Sequence, residues 1–213
     1  MRVLVMAKAP VAGRVKTRLG TTIGMEAAAG VAAAALLDTL ATCRAVFGEC
    51  HLALDGDLTG AHRETELRAA LRGWVVHPQR GLTFAECLAH AHAAVAGRGP
   101  TVQVGMDTPQ VSPRDLHEVA AAAGPGRAVL GPAPDGGWWV LAVEDASAGA
   151  GLAHVPMSTA RTYDRTRAAL EAAGQSVVRA RSLRDVDIAD DADAVAARLE
   201  RGHFRDAWLA VAR

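Results

Sequence analysis

Aromatic residues are scarce in this chain of 213 residues, and neither sign of charge is in excess. Phenylalanine, tryptophan and tyrosine together make up 4 % of the sequence. Lysine and arginine number 23, and aspartate and glutamate also number 23. With no net charge, no overall field attracts a nucleic acid or an anionic membrane surface. We therefore expect neither as a partner, and any charged site must come from local clusters.

Cysteine and long apolar runs are also limited. The three cysteines are odd in number and lack a C-x-x-C spacing, which argues against a disulfide framework or a zinc knuckle. The start of the chain meets Lys8 after one short apolar run, unlike a signal peptide. The longest apolar stretch, 27–37, is about half of the roughly 20 residues that span a bilayer. We expect a cytoplasmic protein without a membrane segment.

Predicted strands and helices alternate along the whole chain, which we treat as one domain over residues 1–213. The predicted strands are 2–6, 50–54, 74–76, 101–104, 128–130, 138–143 and 176–180. The predicted helices are 25–46, 61–71, 83–95, 113–123, 159–173 and 189–201, with Ser112 as an N-cap. This alternation predicts an α/β fold with a mostly parallel twisted sheet flanked by helices. Ligands of such sheets bind beyond the carboxyl ends of the strands.

The loop after the first predicted strand carries four cations within eleven residues. It reads A-K-A-P-V-A-G-R-V-K-T-R-L from Ala7 to Leu19 and precedes a helix. Lysine and arginine neutralise phosphate charge, and Gly13 lets backbone amides approach an anion. The loop is neither a Walker A loop nor a G-x-G-x-x-G fingerprint. Either a polyphosphate site or a solvated basic loop fits this composition, and its place after the first strand favours the site.

Acidic residues follow two other predicted strands. Asp107, in G-M-D-T-P, is placed either to bind a hard cation or to form an Asx turn before proline. In R-D-V-D-I-A-D-D, Asp185 and Asp187 precede a helix, where carboxylates bind metal or cap the helix. We expect Asp185 to cap or to face solvent. Between these segments, the A-P-D-G-G-W-W loop suits either a hairpin turn or close approach to a ligand, with one tryptophan lining a site and the other in the core.

Six motifs taken in order resemble the radical-SAM/selenodomain-associated transferase family, whose members are commonly described as glycosyltransferases. They are the loop from Ala7, P-Q-R-G at 78–81, G-M-D-T-P at 105–109, G-P-A-P-D-G-G-W-W at 131–139, P-M-S-T at 156–159 and L-R-D-V-D at 183–187. The resemblance spans roughly residues 3–193. This chain departs from the family at Leu82–Phe84, where D-L-G is common, at the two tryptophans, where tyrosines are common, and at Met157, where tryptophan is usual.

The resemblance implies the fold of the nucleotide-diphospho-sugar transferase (GT-A) superfamily, and site residues can be carried over motif by motif. Lys16 and Arg18 would contact phosphates, and Asp107 and Asp187 would hold Mg²⁺ or Mn²⁺, although the choice between Asp185 and Asp187 stays open. The nucleotide site is expected at Ala7, Lys8, Pro10, Gly13, Arg14, Lys16, Arg18 and Gln79. The acceptor site is expected at Asp135, Gly136, Gly137 and Trp138. Lys16 and Asp107 are the expected catalytic residues.

Three functions fit these expectations. In the first, a nucleoside triphosphate transfers its nucleotidyl group to a phosphorylated small-molecule acceptor and releases pyrophosphate. In the second, a nucleotide-sugar donates its sugar to an acceptor. The number of cations in the first loop, and the absence of a D-x-D motif at Asp107, favour the first function. The third is nucleotide binding without turnover.

Overall fold

A seven-stranded sheet forms the centre of the protein, whose computed structural model describes residues 1–95, 97, 99–144, 149 and 151–211. Its strands are β1 (Arg2–Lys8), β2 (Glu49–Asp55), β3 (Val75–Pro78), β4 (Thr101–Gly105), β5 (Arg127–Pro132), β6 (Trp138–Val143) and β7 (Ser176–Arg179). They lie in the order β3-β2-β1-β4-β6-β5-β7. The predicted mostly parallel α/β sheet is confirmed.

One strand of this sheet, β6, runs antiparallel to its neighbours β4 and β5. The pairs β1–β2, β1–β4, β2–β3 and β5–β7 are all parallel. Because β5 and β6 form a hairpin, β5 keeps the direction of β4. The carboxyl ends of β1, β4, β5 and β7 therefore meet at one edge of the sheet, where each is followed by one of the predicted functional loops.

Eight α-helices and one 3₁₀ helix surround the sheet within the described residues. They are α1 (Thr17–Ile23), α2 (Met25–Val46), α3 (Glu64–Ala70), α4 (Phe84–Ala94), α5 (Pro113–Ala122), the 3₁₀ helix (Gly151–His154), α6 (Thr162–Ala172), α7 (Ala189–Ala196) and α8 (His203–Val211). Residues of α2 and α5 pack on one face of the sheet, and residues of α4 and α6 pack on the other. A third cluster joins α1 and α2 to α7 and α8.

Helix α2 is long and apolar enough to cross a membrane by length and composition alone. In the fold, however, 61 % of its most apolar window is buried within the protein. Leu36 and Leu40 are fully covered and belong to the cluster between α2 and the sheet. The apolar surface of α2 thus contributes to the core, where burial of a leucine side chain stabilises by roughly 1.5–3 kcal/mol.

Helix boundaries follow local capping. Ser112 caps α5 as predicted, since its hydroxyl accepts from the Asp115 amide while the Asp115 carboxylate accepts from the Ser112 amide. The predicted helix 189–201 ends instead at Ala196, and α8 begins at His203. Asp38 of α2 accepts from the amides of His203 and Phe204 at 3.0 and 2.8 Å, so a side chain distant in sequence fixes where α8 starts.

Candidate active site

A cavity of about 550 Å³ opens at the edge where the carboxyl ends of the parallel strands meet. Its walls come from the three loops that were expected to gather there, 7–19, 105–109 and 131–137, and from the segments 157–162 and 185–187. Six of the expected nucleotide-binding residues line it, namely Ala7, Lys8, Arg14, Lys16, Arg18 and Gln79. Pro10 and Gly13 are not among the lining residues.

The loop after β1 folds into tight turns before it enters α1. The amide of Ala9 donates to the carbonyl of Asp55, which extends the β1–β2 pairing by one residue, and the amide of Arg14 donates to the carbonyl of Val11. Gly13 has φ +75°, a conformation that glycine adopts without strain. Gly13 thus shapes the turn that presents the following cations.

Lys16 has a left-handed backbone conformation, with φ 46° and ψ 44°, immediately before α1. This geometry is uncommon for a residue other than glycine, and it is found most often where surrounding contacts hold it at a functional site. The Lys16 ammonium contacts the carboxylates of Asp107 and Asp187, each at 2.8 Å. Arg18 contacts the other oxygen of Asp187, also at 2.8 Å.

The burial of the three partners determines how strong this ion group is. The Lys16 side chain is 11 % exposed and that of Asp187 is 24 % exposed, whereas Arg18 is 74 % exposed. Burial opposes the charge of Lys16, but Asp107 and Asp187 together outweigh it and raise the pKa of the ammonium. Burial likewise opposes the charge of Asp187, and Lys16 outweighs it and lowers the pKa of that carboxyl. Lys16 is therefore a fixed cation, and Arg18 is a surface cation.

Asp107 reaches this group because its neighbours leave room for it. A Cβ atom on Gly105 would lie 2.6 Å from an oxygen of the Asp107 carboxylate, so only glycine allows this side chain to fold back over the end of β4. The carbonyl of Asp107 accepts from the amide of Val186 at 2.9 Å. The loop after β4 is thereby bonded to the segment that follows β7.

Asp185 joins Asp107 and Asp187, and the expectation that it caps a helix or faces solvent is wrong. Oxygen atoms of these three carboxylates all lie within 4.8 Å of one another. Burial, followed by the charges of Asp107, Asp135 and Asp187, raises the pKa of Asp185 to about 7. The three carboxylates are arranged together because Val186, between two of them, is buried and fixes the segment.

The capping role belongs to Asp191. Its carboxylate accepts from the amides of Asp187 and Ile188, each at 3.2 Å, at the start of α7. Its other oxygen contacts Arg184 at 2.7 Å. One carboxylate of the segment therefore orders the turn, which leaves Asp185 and Asp187 available for the cavity.

The three clustered carboxylates fit a hard divalent cation. Mg²⁺ and Mn²⁺ prefer oxygen ligands, and Asp107, Asp185 and Asp187 supply three carboxylates in one place. Lys16 and Arg18 offset part of the negative charge of Asp107 and Asp187. Both predicted ligands, Asp107 and Asp187, are in the group, and so is Asp185, the alternative that the sequence left open.

Gln79 lies on the side of the cavity formed by β1 and β2. Its side-chain nitrogen donates to the carbonyls of Ala7 and Ala53, at 2.9 Å each. Both N–H groups of the amide are thus used to tie the ends of two strands together. The remaining oxygen of Gln79 is the atom available to a ligand, and it can only accept hydrogen bonds.

The β5–β6 hairpin supplies Asp135, Gly137 and Trp138 to the opposite wall, while Gly136 does not line the cavity. Gly136 has φ +90° and packs so closely on Ala160 that a Cβ atom there would collide with the Ala160 carbonyl. Its own carbonyl accepts from the amide of Tyr163 at 2.8 Å. Gly136 therefore joins the hairpin to the start of α6.

A register shift in the hairpin gives its two tryptophans different surroundings. Gly131 pairs with Val140 and Pro132 with Trp138, so Trp139 is the extra residue of a bulge. Trp139 is 2 % exposed and packs mainly in the core beside α2 and α5, where its indole donates to the carbonyl of Arg181. Trp138 is half-buried along the cavity, and its indole donates to Thr166. Trp139 also borders the cavity, so both tryptophans line it, and only Trp139 packs in the core as well.

Several lining residues lie outside the expected site. Gln103, on β4, is 2 % exposed and contributes to the cavity, as do Phe84 at the start of α4 and the segment Met157–Ala160. Ser158, with φ 57°, is a second residue of the lining in the left-handed region. The P-M-S-T motif signalled this last segment, whereas nothing in the pattern of β4 distinguishes Gln103 from an ordinary strand residue.

Known proteins share this architecture. The family model for uncharacterised proteins conserved in bacteria, DUF2064, matches residues 37–159. No curated protein matches the chain. A candidate nucleotide-diphospho-sugar transferase from Desulfovibrio desulfuricans has 23 % identity over 98 % of this chain and 92 % of that one, with a TM-score of 0.81.

Two further solved structures have the same fold at lower similarity. A nucleotidyl transferase from Methanothermobacter is 19 % identical over 99 % of this chain and 98 % of that one, with a TM-score of 0.61. A CMP:2-keto-3-deoxy-manno-octonic acid synthetase complexed with CTP is 12 % identical over 91 % of this chain and 96 % of that one, with a TM-score of 0.52. These identities establish a shared fold, and the narrower resemblance to the radical-SAM/selenodomain-associated group stays a prediction.

Proposed function

Because this chain belongs to the DUF2064 family of uncharacterised bacterial proteins and has the fold of nucleotide-diphospho-sugar transferases, we propose that it is a metal-dependent transferase that uses a nucleotide. Its preferred reaction is nucleotidyl transfer from a nucleoside triphosphate, with release of pyrophosphate. The solved structures with this fold include a nucleotidyl transferase and a synthetase that was crystallised with CTP.

The observation that carries the proposal is the contact of Lys16 with Asp107 and Asp187 at the edge of the sheet. It joins the basic loop to the acidic group, so phosphate-binding cations and metal-binding carboxylates face the same cavity. Polyphosphate transfer needs both kinds of charge within a few ångströms of the reacting phosphorus. This juxtaposition favours a phosphate-binding role for the basic loop over a loop that is only solvated.

Each side chain has a role in this proposal. Lys16 and Arg18 neutralise phosphate oxygens, and Lys8 and Arg14, also on the cavity wall, extend the positive surface along the chain of phosphates. Asp107, Asp185 and Asp187 would hold Mg²⁺ or Mn²⁺. When bound, the ion supplies Lewis-acid stabilisation of the negative charge that develops on the phosphates. The protein positions its substrates and contributes electrostatic stabilisation, without a covalent intermediate.

Sugar transfer from a nucleotide-sugar is the second candidate. The wall beyond the carboxylates, formed by Phe84, Trp138 and Met157, suits an uncharged ring. The description of the Desulfovibrio protein favours this reaction. The number of cations favours the first, because a triphosphate carries more charge than a diphosphate esterified at both ends. All four cations among the described lining residues lie on the loop at 8–18, where the phosphates of the nucleotide are expected. No further cation in this lining is left to bind a phosphate on the acceptor.

A binding screen followed by product analysis tests the proposal. The four nucleoside triphosphates and a set of nucleotide-sugars are titrated calorimetrically with Mg²⁺ or Mn²⁺, and again with EDTA. At least one nucleotide should bind only with metal. The best ligand, labelled at its α-phosphate, is then incubated with a bacterial small-molecule extract. Labelled product with pyrophosphate indicates nucleotidyl transfer, and a released nucleoside diphosphate indicates sugar transfer.

Two results would count against the proposal. Binding of no nucleotide under any of these conditions would remove the nucleotide site altogether. Binding that is equally strong with EDTA would show that the three carboxylates do not work with a metal. Metal-dependent binding without product from any extract would support nucleotide binding without turnover.

A further inference from the structure

Two buried polar side chains, His92 and Gln103, form a pair beside the cavity, and Gln103 is part of its lining. His92 lies on α4 and is fully buried, and Gln103 lies on β4 and is 2 % exposed. Their side chains meet between His92 Nε2 and Gln103 Oε1 at 3.2 Å. Burial of two such polar side chains is unfavourable unless their hydrogen bonds are satisfied.

The surroundings of His92 determine which of its nitrogens carries the proton. Within the described part of the chain, His92 Nδ1 is buried and has no hydrogen-bond partner. A buried N–H group without an acceptor is rarer and more unfavourable than an unused lone pair. The proton is therefore on Nε2, which donates to Gln103 Oε1. Burial lowers the pKa of His92 to about 4, so the ring is neutral at neutral pH and keeps this arrangement.

The orientation of Gln103 follows from that of His92. Since Oε1 accepts from the histidine, the side-chain nitrogen is directed away from it, and Gln103 belongs to the wall of the cavity. Among the described residues, this nitrogen has no hydrogen-bond partner. Two N–H donors are thus presented to the cavity by a side chain that cannot turn over without losing its bond to His92.

Outside the loop at 8–18, the described lining of the cavity, which includes Gln103, is neutral apart from its carboxylates. Phe84, Trp138 and Met157 contribute apolar surface. No lysine, arginine or histidine among the described lining residues lies outside the loop at 8–18, and Asp135 adds a negative charge on this side. An anionic group would therefore find one neutral donor and an unfavourable field, whereas a neutral oxygen would find a matched partner.

We infer that Gln103, oriented by His92, recognises a neutral oxygen of the second substrate, which is an uncharged polar molecule such as a polyol or a sugar. This inference rests on the proposed function for the existence of a second substrate. Gln103 is then a specificity-determining residue, and His92 is a positioning residue that acts through it. A hydroxyl or carbonyl oxygen can accept the hydrogen bond from Gln103 and carries no charge that the apolar surroundings would disfavour. A phosphorylated form of the same substrate would bind less tightly.

The orientation is tested on the unmodified protein by NMR. Long-range ¹H–¹⁵N spectra at pH 7 should show His92 as the neutral Nε2–H tautomer. Observation of the Nδ1–H tautomer would overturn the inference, because Gln103 would then present its oxygen to the cavity. This measurement requires neither a substrate nor a variant.

Recognition is tested with matched probes that share a carbon skeleton, namely glycerol and glycerol 3-phosphate, and glucose and glucose 6-phosphate. With Mg²⁺ and the best nucleotide present, a neutral probe should shift the side-chain amide signals of Gln103 and bind at least about threefold more tightly than its phosphorylated partner. Gln103→Met should weaken the neutral probe about tenfold, as expected for one lost hydrogen bond of roughly 1.4 kcal/mol. Tighter binding of the phosphorylated member, or no shift with either neutral probe, would overturn the inference.

Variants of His92 separate positioning from structural support. His92→Phe removes the donor and should weaken the neutral probe, whereas His92→Gln can donate from its own amide and should retain affinity to within about twofold. Neither variant should change nucleotide affinity, which is measured on the same samples. If the unmodified protein binds no nucleotide, the proposed function is contradicted. If the neutral and phosphorylated probes bind unequally but the Gln103 and His92 variants bind them as the unmodified protein does, only the present inference is contradicted.

Discussion

The backbone amide of Val186 donates to the carbonyl of Asp107, and this bond joins two loops that are 79 positions apart in the chain. Val186 is buried, so the residues on either side of it, Asp185 and Asp187, are both directed toward Asp107. The charge that results from this arrangement is partly offset by Lys16, which reaches in from the first loop. The carboxylates therefore come from two separate segments and the ammonium from a third, and the parallel strands bring all three segments to one edge.

Lys16→Ala should weaken nucleotide binding by about 10- to 100-fold, because a charge-assisted hydrogen bond contributes roughly 1.5–3 kcal/mol. Arg18→Ala should weaken it by less than about fivefold, since Arg18 is 74 % exposed and pairs of exposed charges contribute little. Isothermal titration with the best nucleotide measures both. Arg198→Ala, an exposed cation on the segment after α7, is the matched control.

The same Lys16 variant should bind Mn²⁺ more tightly when no nucleotide is present. Its ammonium occupies oxygens of Asp107 and Asp187 that a metal would otherwise use, so its removal ends that competition. Electron paramagnetic resonance of free Mn²⁺ gives the affinity directly. If Lys16→Ala lowers Mn²⁺ affinity, the ammonium does not compete with the metal, and the carboxylates require it for their arrangement.

Gly136→Ala should destabilise the protein by more than about 2 kcal/mol, because a Cβ atom would collide with the carbonyl of Ala160 and φ is +90°. For a chain of this size that corresponds to a fall in Tm of about 4 °C or more. Gly126→Ala is the control, since its φ is +67° and a Cβ there meets nothing within 4 Å. It should lose only the backbone strain, about 1 kcal/mol. Equal losses in thermal unfolding would show that contact with Ala160 is unimportant.

Stability should decline as the pH falls from about 6.5 to about 4, in part because of His92. The unfolded chain gains a proton on this residue below its ordinary pKa near 6.5, whereas burial keeps the folded residue neutral until about pH 4. The contribution is constant above pH 6.5 and is lost on acidification, by at most about 3 kcal/mol at pH 4. Urea unfolding of the wild type and of His92→Gln should give curves that converge toward low pH. Parallel curves would show that His92 titrates similarly in both states.

Much of this fold could be predicted from local sequence. Strand and helix periodicity placed the elements, and α2 spans the residues expected of it because no glycine or proline interrupts it after Gly30. The reversed direction of β6 depends on a hairpin whose D-G-G turn was one of two interpretations left open. The start of α8 depends on Asp38, a contact between distant residues that periodicity does not contain.

The site residues that belong to sequence motifs could be predicted. Those whose position depends on tertiary contacts could not. The loops at 7–19 and 105–109 were found because cations and a carboxylate follow predicted strands. The choice between Asp185 and Asp187 could not be made from spacing, since residues i and i+2 of an extended segment point to the same side, and only the burial of Val186 directs that side toward the cavity. Gln103 and His92 lie on elements that look like ordinary core, and their relation exists only after α4 packs on β4.

The three carboxylates differ from a helix cap in what their loss should change. Removal of a cap outside the cavity, such as Ser112 of α5, costs about 1 kcal/mol of stability and leaves ligand binding intact. Removal of a metal ligand costs little stability, or even relieves repulsion, but takes away several kcal/mol of stabilisation during the reaction. Each 1.36 kcal/mol corresponds to a factor of ten in rate. Stability and turnover should therefore respond in opposite ways to the two kinds of substitution.

Asp107→Asn and Asp187→Asn should each lower turnover by about two orders of magnitude or more and raise the Mg²⁺ or Mn²⁺ concentration needed for half-maximal rate. Asp185→Asn should also raise that concentration, because its oxygens lie within 4.8 Å of the other two. Asp190→Asn is the control, since Asp190 is exposed in the first turn of α7 and should leave both quantities unchanged. Metal titrations of turnover, with thermal unfolding of each variant, measure the effects. If Asp185→Asn shows normal metal dependence, the metal site is restricted to Asp107 and Asp187. If Asp187→Asn also shows normal turnover, the segment after β7 is not part of the metal site.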